Sequence, residues 1–132
     1  MRKESEEWLR IAYEEYQSAN VLIREDLYRM VCYHAQQTVE KMLKAILTEH
    51  EVDFSRTHNL LDLKNATNIL GYHTDLTDED AAFLGSVYRA RYPAMLGILP
   101  GGDPVKEDAV NALRIAEKVV KFVRSTFPAE RS

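Results

Sequence analysis

Four side chains in the stretch CYHAQQTVEKMLKAIL (32–47) can do chemistry: His34, Gln36, Gln37 and Lys41. An imidazole gives or takes a proton near neutral pH. The amides offer donors and acceptors, and an ammonium pairs with anions. Farther along stand His58, then Arg89, Arg91 and Tyr92 within VYRARYPA (87–94). Guanidinium groups beside a tyrosine suit phosphate and base-stacking contacts. These eight residues form the candidate ligand-binding set. No catalytic residue is assigned from their spacing.

On a helical period His34, Gln37, Lys41, Lys44 and Thr48 fall in one polar stripe. Glu40 and Lys44 add an i,i+4 pair in the favourable order, worth about 0.3 kcal/mol. This stripe reads as solvated surface. Gln36 differs, because it sits between Cys32 and Val39 inside the apolar stripe. A glutamine there must satisfy its amide or lose roughly 1–3 kcal/mol. Two readings stay open for it: a bond to a neighbouring helix or a second chain, or a share in a polar pocket. Arg89 and Arg91 also have two readings. One is the dipole at a helix C-terminus, worth about 0.3–1 kcal/mol; the other is phosphate contact. His50 and His73 fall in connections and say little.

Several function classes lack their signatures. There is no HxxxH pair and Cys32 is the sole cysteine, so zinc spacings are absent. HTDLTDED (73–80) is acidic but lacks the order of a calcium loop with its central glycine, and helix capping explains it better. No GxGxxG follows a strand, and the glycines at 101–102 lack the P-loop Lys-Ser/Thr. There is no Gly-x-Ser-x-Gly for a serine hydrolase. Neither a metal nor a cofactor is therefore expected. Lys and Arg total 17 against 21 Asp and Glu, a net charge of −4. Contact with nucleic acid thus calls for a local patch. One cysteine allows no intrachain disulfide, which is compatible with a reducing cytoplasm. No run of about 18 apolar residues predicts a membrane span. MRKESEEWLR has no apolar signal core, so a cytoplasmic location is the expectation.

The elements that must position these groups read as helices. The 132 residues fit one domain spanning 1–132. Few breakers occur outside 92–104, which favours long helices. The first helix covers about 4–25, on Leu9, Ala12, Tyr16, Ala19 and Ile23. The second covers about 28–49, on Cys32, Ala35, Val39, Met42, Leu43 and Ile46, and makes an antiparallel hairpin with the first. After a linker at 50–57, His58 opens a third helix, about 58–70, with Gly71 as its C-terminal glycine. Thr77 and Asp80 form a capping box for a fourth helix, about 78–92, ended by Pro93. Asp103 and Pro104 signal the start of a fifth, about 104–127. Between them, Met95, Leu96, Ile98 and Leu99 are apolar for a loop and must pack on the core rim or on a second chain. The fold class is all-α: an antiparallel up-and-down helical bundle of four to five helices.

Trp8 with Ala12, Ala19 and Leu22, then CYHAQQTVEKMLKAIL, RTHNLLDL (56–63) and RYP (91–93) resemble the HEPN domain (higher eukaryotes and prokaryotes nucleotide-binding) over about 8–125. The resemblance implies a prokaryotic helical bundle that dimerises, often encoded beside a minimal nucleotidyltransferase as a toxin–antitoxin-like pair. It also implies a nucleotide or RNA ligand. Some members are metal-independent ribonucleases carrying Arg-x4–6-His at the dimer cleft. There the arginine steadies phosphate charge and the histidine does acid–base chemistry.

This chain departs from that pattern. No histidine follows Arg89 or Arg91 at that spacing. Arg29 and His34 match the spacing literally but lie early in the second helix, about 140° apart around it. The resemblance therefore implies a non-catalytic nucleotide-binding and interaction module. The alternative is a degenerate ribonuclease pairing Arg91 with His34 or His58. A blander reading has the polar residues only tying the bundle together.

Overall fold

The computed structural model describes residues 1–88 and 102–128. Arg89, Arg91, Tyr92, the helix stop at Pro93 and the apolar loop at 95–99 lie outside the described residues. Among the described residues all regular structure is helical, without a strand: α1 (Lys3–Leu22), α2 (Tyr28–Glu49), α3 (Leu60–Ile69), α4 (Asp78–Tyr88) and α5 (Lys106–Thr126). They form an up-and-down bundle.

The first two helices are the hairpin that the apolar spacing predicts. Leu9, Ala12 and Ala19 are buried, with Tyr16 and Ile23 packed at the edge of the core. The turn tightens through a short 3-10 segment, Ile23–Glu25, and Asp26 takes φ 58 to reverse the chain. Contacts across the hairpin then join residues whose numbers add up to about 50, which is antiparallel register. The Arg2 amide reaches Glu49 at 2.9 Å, and the Lys44 ammonium lies 5.4 Å from the centre of the Trp8 ring.

Helix α2 is central. It packs against α1, α3, α4 and α5, and 14 of its 22 residues are buried. Met42, Leu43, Ile46 and Leu47 meet Leu63, Leu84 and Ile115 in the core. Ala35 of α2 and Ala109, Ala112 and Ala116 of α5 are fully buried. Such small side chains let the axes of two helices approach closely.

Three boundaries depend on polar groups. The Thr77 amide donates to the Asp80 carboxylate at 3.2 Å, and the Asp80 amide donates to the Thr77 hydroxyl at 3.0 Å, the predicted capping box. Lys118 of α5 reaches the same Asp80 at 2.6 Å and ties the two helices together. The third helix starts later than predicted. Asn59 is its cap, accepting from the Asp62 amide at 3.1 Å, so His58 precedes the helix rather than opening it. The fifth also starts later. Val105 is extended at φ −108 and ψ 178, and its amide donates to the Asp108 carboxylate at 2.9 Å. An acid in the first turn thus outcompetes the Asp103-Pro104 signal, because it both bonds the orphan amide and meets the positive helix end.

Gly71 ends α3 with φ +95, where an added Cβ would meet nothing within 4 Å. Only backbone strain opposes a side chain there. Gly71→Ala is expected to destabilise by about 1 kcal/mol in urea unfolding, since alanine is strained in the left-handed region.

Candidate functional site

The polar face of α2 is not solvated surface. Glu40 is 3% exposed and Lys44 2%, and Gln36 and Gln37 are buried with them. The sequence expectation of a wet stripe fails because α1 and the 50–59 segment close over that side of the helix. What they cover is a continuous hydrogen-bonded relay. The His34 Nδ1 meets Glu15 Oε1 at 2.5 Å, and Lys41 Nζ donates to Glu15 Oε2 at 3.0 Å. Lys41 also donates to Gln37 Oε1 at 2.5 Å, and Gln37 Nε2 donates to Gln36 Oε1 at 2.7 Å. Gln36 Nε2 donates to Glu40 Oε1 at 3.2 Å. The other oxygen of Glu40 takes Lys44 at 2.8 Å and His58 Nδ1 at 2.9 Å. Lys44 is completed by the Ser55 carbonyl at 3.0 Å and the face of Trp8.

Both carboxylates stay ionised. For Glu40, burial pushes the carboxyl up, but hydrogen bonds from Lys44, His58 and Gln36 more than offset it and hold it below the usual glutamate range. For Glu15, burial is again outweighed, by His34 and Lys41, with the same outcome. A buried carboxylate keeps its charge when several donors converge on it. Burial pushes the Cys32 thiol up to about 12, so it supplies no thiolate nucleophile.

One end of the relay opens on a groove of about 420 Å³, lined among others by Gln36, His58, Asn59, Leu60, Leu61 and Tyr88. The His58 side chain is 67% exposed, yet its Nδ1 is fixed on Glu40. With Nδ1 against a carboxylate, Nε2 is left to meet a ligand, as an acceptor when neutral and a donor when charged. The Asn59 oxygen is engaged by the α3 cap, and the first amides of α3 have no intrahelical acceptor. Opposite them, Asp78 is held by Lys64 at 2.8 Å. Tyr88 stacks on Tyr33, ring centres 5.8 Å apart and planes 17° apart. That stack fixes the groove wall against α2.

The candidates thus divide. Gln36 and His58 share the groove. Gln37 and Lys41 are internal to the relay, and His34 lines a separate, shallower depression with Val21, Leu22 and Ser18. Gln36 lines the groove while itself buried, and its amide bonds run to Gln37 and Glu40 of its own helix. Arg89, Arg91 and Tyr92 follow the groove residue Tyr88 in the chain but lie outside the described residues. Sequence reasoning missed Glu15, Asn59 and the burial of Glu40 and Lys44. Hairpin register was the available signal for Glu15, since it places that residue across from His34. Among the described residues no cluster of three or more His, Cys, Asp or Glu could hold a metal, and no helix is long and apolar enough to cross a membrane.

Comparison with known proteins places this geometry in a family. The crystal structure of TT1696 from Thermus thermophilus is similar at a TM-score of 0.74, with 25% identity, over 96% of this chain and 100% of that one. ST0689, an archaeal HEPN homologue, is similar at 0.68 with 23% identity, over 96% and 98%. No curated protein matches. The HEPN domain family model matches residues 5–126, a span that takes in the whole of the relay and the groove. The chain belongs to the HEPN domain family.

Proposed function

We propose that this chain is a nucleotide-binding and interaction module, and that the ligand sits in the groove beside His58. The observation that carries this reading is the fixed imidazole: His58 is exposed to the groove yet tethered through Nδ1 to the buried Glu40. A tethered ring presents Nε2 in one direction without losing rotamer freedom on binding. The amides at the start of α3 point the same way electrostatically, since a helix N-terminus favours anions such as phosphate. The volume of about 420 Å³ is within the range of small-molecule sites. The sequence puts Arg89 and Arg91 in the same candidate ligand set as His58, and both lie outside the described residues.

The biological setting that fits is a cytoplasmic prokaryotic homodimer paired with a minimal nucleotidyltransferase in a toxin–antitoxin-like system. A second reading, a metal-independent ribonuclease, is favoured by the same tether, because a carboxylate-held imidazole is suited to proton transfer. No histidine follows Arg89 or Arg91 at the Arg-x4–6-His spacing, which supports binding over cleavage.

Titration calorimetry with adenosine and guanosine nucleotides is expected to show binding that His58→Ala weakens about tenfold, equivalent to about 1.4 kcal/mol. No heat at millimolar nucleotide would overturn the nucleotide reading and leave a protein-interaction role. Single-stranded RNA incubated with the protein and a chelator is expected to stay intact. Cleavage lost in Arg91→Ala would install the ribonuclease instead.

A further inference from the structure

The relay joins two imidazoles that face different surfaces. His58 lies in the groove, and His34 lines the depression on the α1 side. Each has Nδ1 on a carboxylate, half-buried Glu15 for His34 and buried Glu40 for His58, and those carboxylates are joined through Lys41, Gln37 and Gln36. The α2 residues at the two ends, His34 and Glu40, are six positions apart, about 9 Å along a helix axis.

The bonding has one direction. Lys41 has only donors, so Gln37 must turn its oxygen to it and its amide nitrogen away. That nitrogen donates to the Gln36 oxygen, which leaves the Gln36 nitrogen for Glu40. Reversing either amide alone sets donor against donor or acceptor against acceptor. Reversing both together restores the bond between them but sets donor against donor at Lys41 and acceptor against acceptor at Glu40, so the two ends pin both amides in one orientation.

The charges are balanced in the middle and open at the ends. Glu15 pairs with Lys41 and Glu40 pairs with Lys44. His58 also faces the groove, where α4 brings Asp78, paired with Lys64 of α3. His34 also meets the Tyr33 ring at 5.0 Å, and Glu14 of α1, bound to Arg10, lines the same depression.

We propose that this relay is a coupling device: the hydrogen-bonding state of His58 in the groove is transmitted through Glu40, Gln36, Gln37 and Lys41 to Glu15 and His34 on the far surface. The inference does not require that a nucleotide be the groove's ligand. It gives this chain a route by which an event at the groove changes a second surface formed by α1 and α2.

Imidazole NMR on the intact protein tests this without any ligand. At fixed neutral pH, His58→Ala is expected to move the ring signals of His34. In a Gln36→Met background, which keeps side-chain bulk but removes the amide, the same change is expected to leave the His34 signals in place. Unmoved His34 signals in the first comparison overturn the proposal. An equal displacement in the Gln36→Met background also overturns it, because the effect then travels by another route. If Gln36→Met loses its dispersed spectrum, Gln37→Met interrupts the relay one residue along and is read the same way.

Discussion

Glu40→Ala is expected to lower stability by about 3–5 kcal/mol, the cost of stranding one member of a buried ion pair. Lys44 is 2% exposed, and its ammonium would keep only the Ser55 carbonyl and the Trp8 face. Gln36 would lose the acceptor for its nitrogen, and His58 would lose its tether. The size of the loss comes from these orphaned groups rather than from the strength of the salt bridge itself. The double substitution Glu40→Met with Lys44→Met removes both charges and keeps similar volume. It is expected to cost much less, under about 2 kcal/mol, because hydrophobic replacement of a buried pair is often near neutral. Urea unfolding followed by circular dichroism at neutral pH separates the cases. A loss under about 1 kcal/mol for Glu40→Ala is what an exposed pair gives, and would return Glu40 and Lys44 to the surface.

The error about that pair shows where the sequence stops being readable. The apolar face of α2 was legible: Cys32, Ala35, Val39, Met42, Leu43 and Ile46 recur on a helical period, and all six are buried. The opposite face has the same period in polar residues, and periodicity cannot report what packs on it. An isolated amphipathic helix would leave Gln37, Lys41 and Lys44 in water. Here α2 is the centre of the bundle, so its polar side is also covered. The charges alternate so that each cation has its carboxylate, Glu15 for Lys41 and Glu40 for Lys44, which is how buried charges are kept. Glu15 is remote in sequence, and only the hairpin register brings it to His34.

Boundaries failed for a related reason. Asp103-Pro104 and His58 are good local signals, but caps are chosen by which oxygen reaches the orphan amide. Asp108 and Asn59 have that reach. Where both local partners are present, as at Thr77 and Asp80, the box forms as its spacing predicts. Of the candidate ligand-binding residues, Gln36 and His58 meet in the groove because the segment before α3 returns to α2. That return depends on Glu40, which sequence reasoning placed on the surface.

Acid is expected to unfold this protein cooperatively, and the relay sets the direction of the effect. Three carboxyls that tie separate segments of the chain together, Glu15, Glu40 and Asp80, are held below their ordinary values of 4.5, 4.5 and 3.8. At Asp80, burial opposes ionisation, but Lys118 and the Thr77 amide outweigh it. A carboxyl whose pKa is lower folded than unfolded binds fewer protons in the native state. Its contribution is complete above the unfolded value and is lost as pH falls through the folded one. Stability should therefore stay level down to about pH 5 and then drop, each such group adding a slope of at most about 1.4 kcal/mol per pH unit. Urea unfolding at a series of pH values measures that slope. Glu15→Gln with Lys41→Met removes one titrating pair from the relay, and the acid limb should become shallower even if the variant starts from lower stability at neutral pH. An unchanged acid slope would mean that Glu15 titrates alike in the folded and unfolded chains, which its bonds to His34 and Lys41 do not allow.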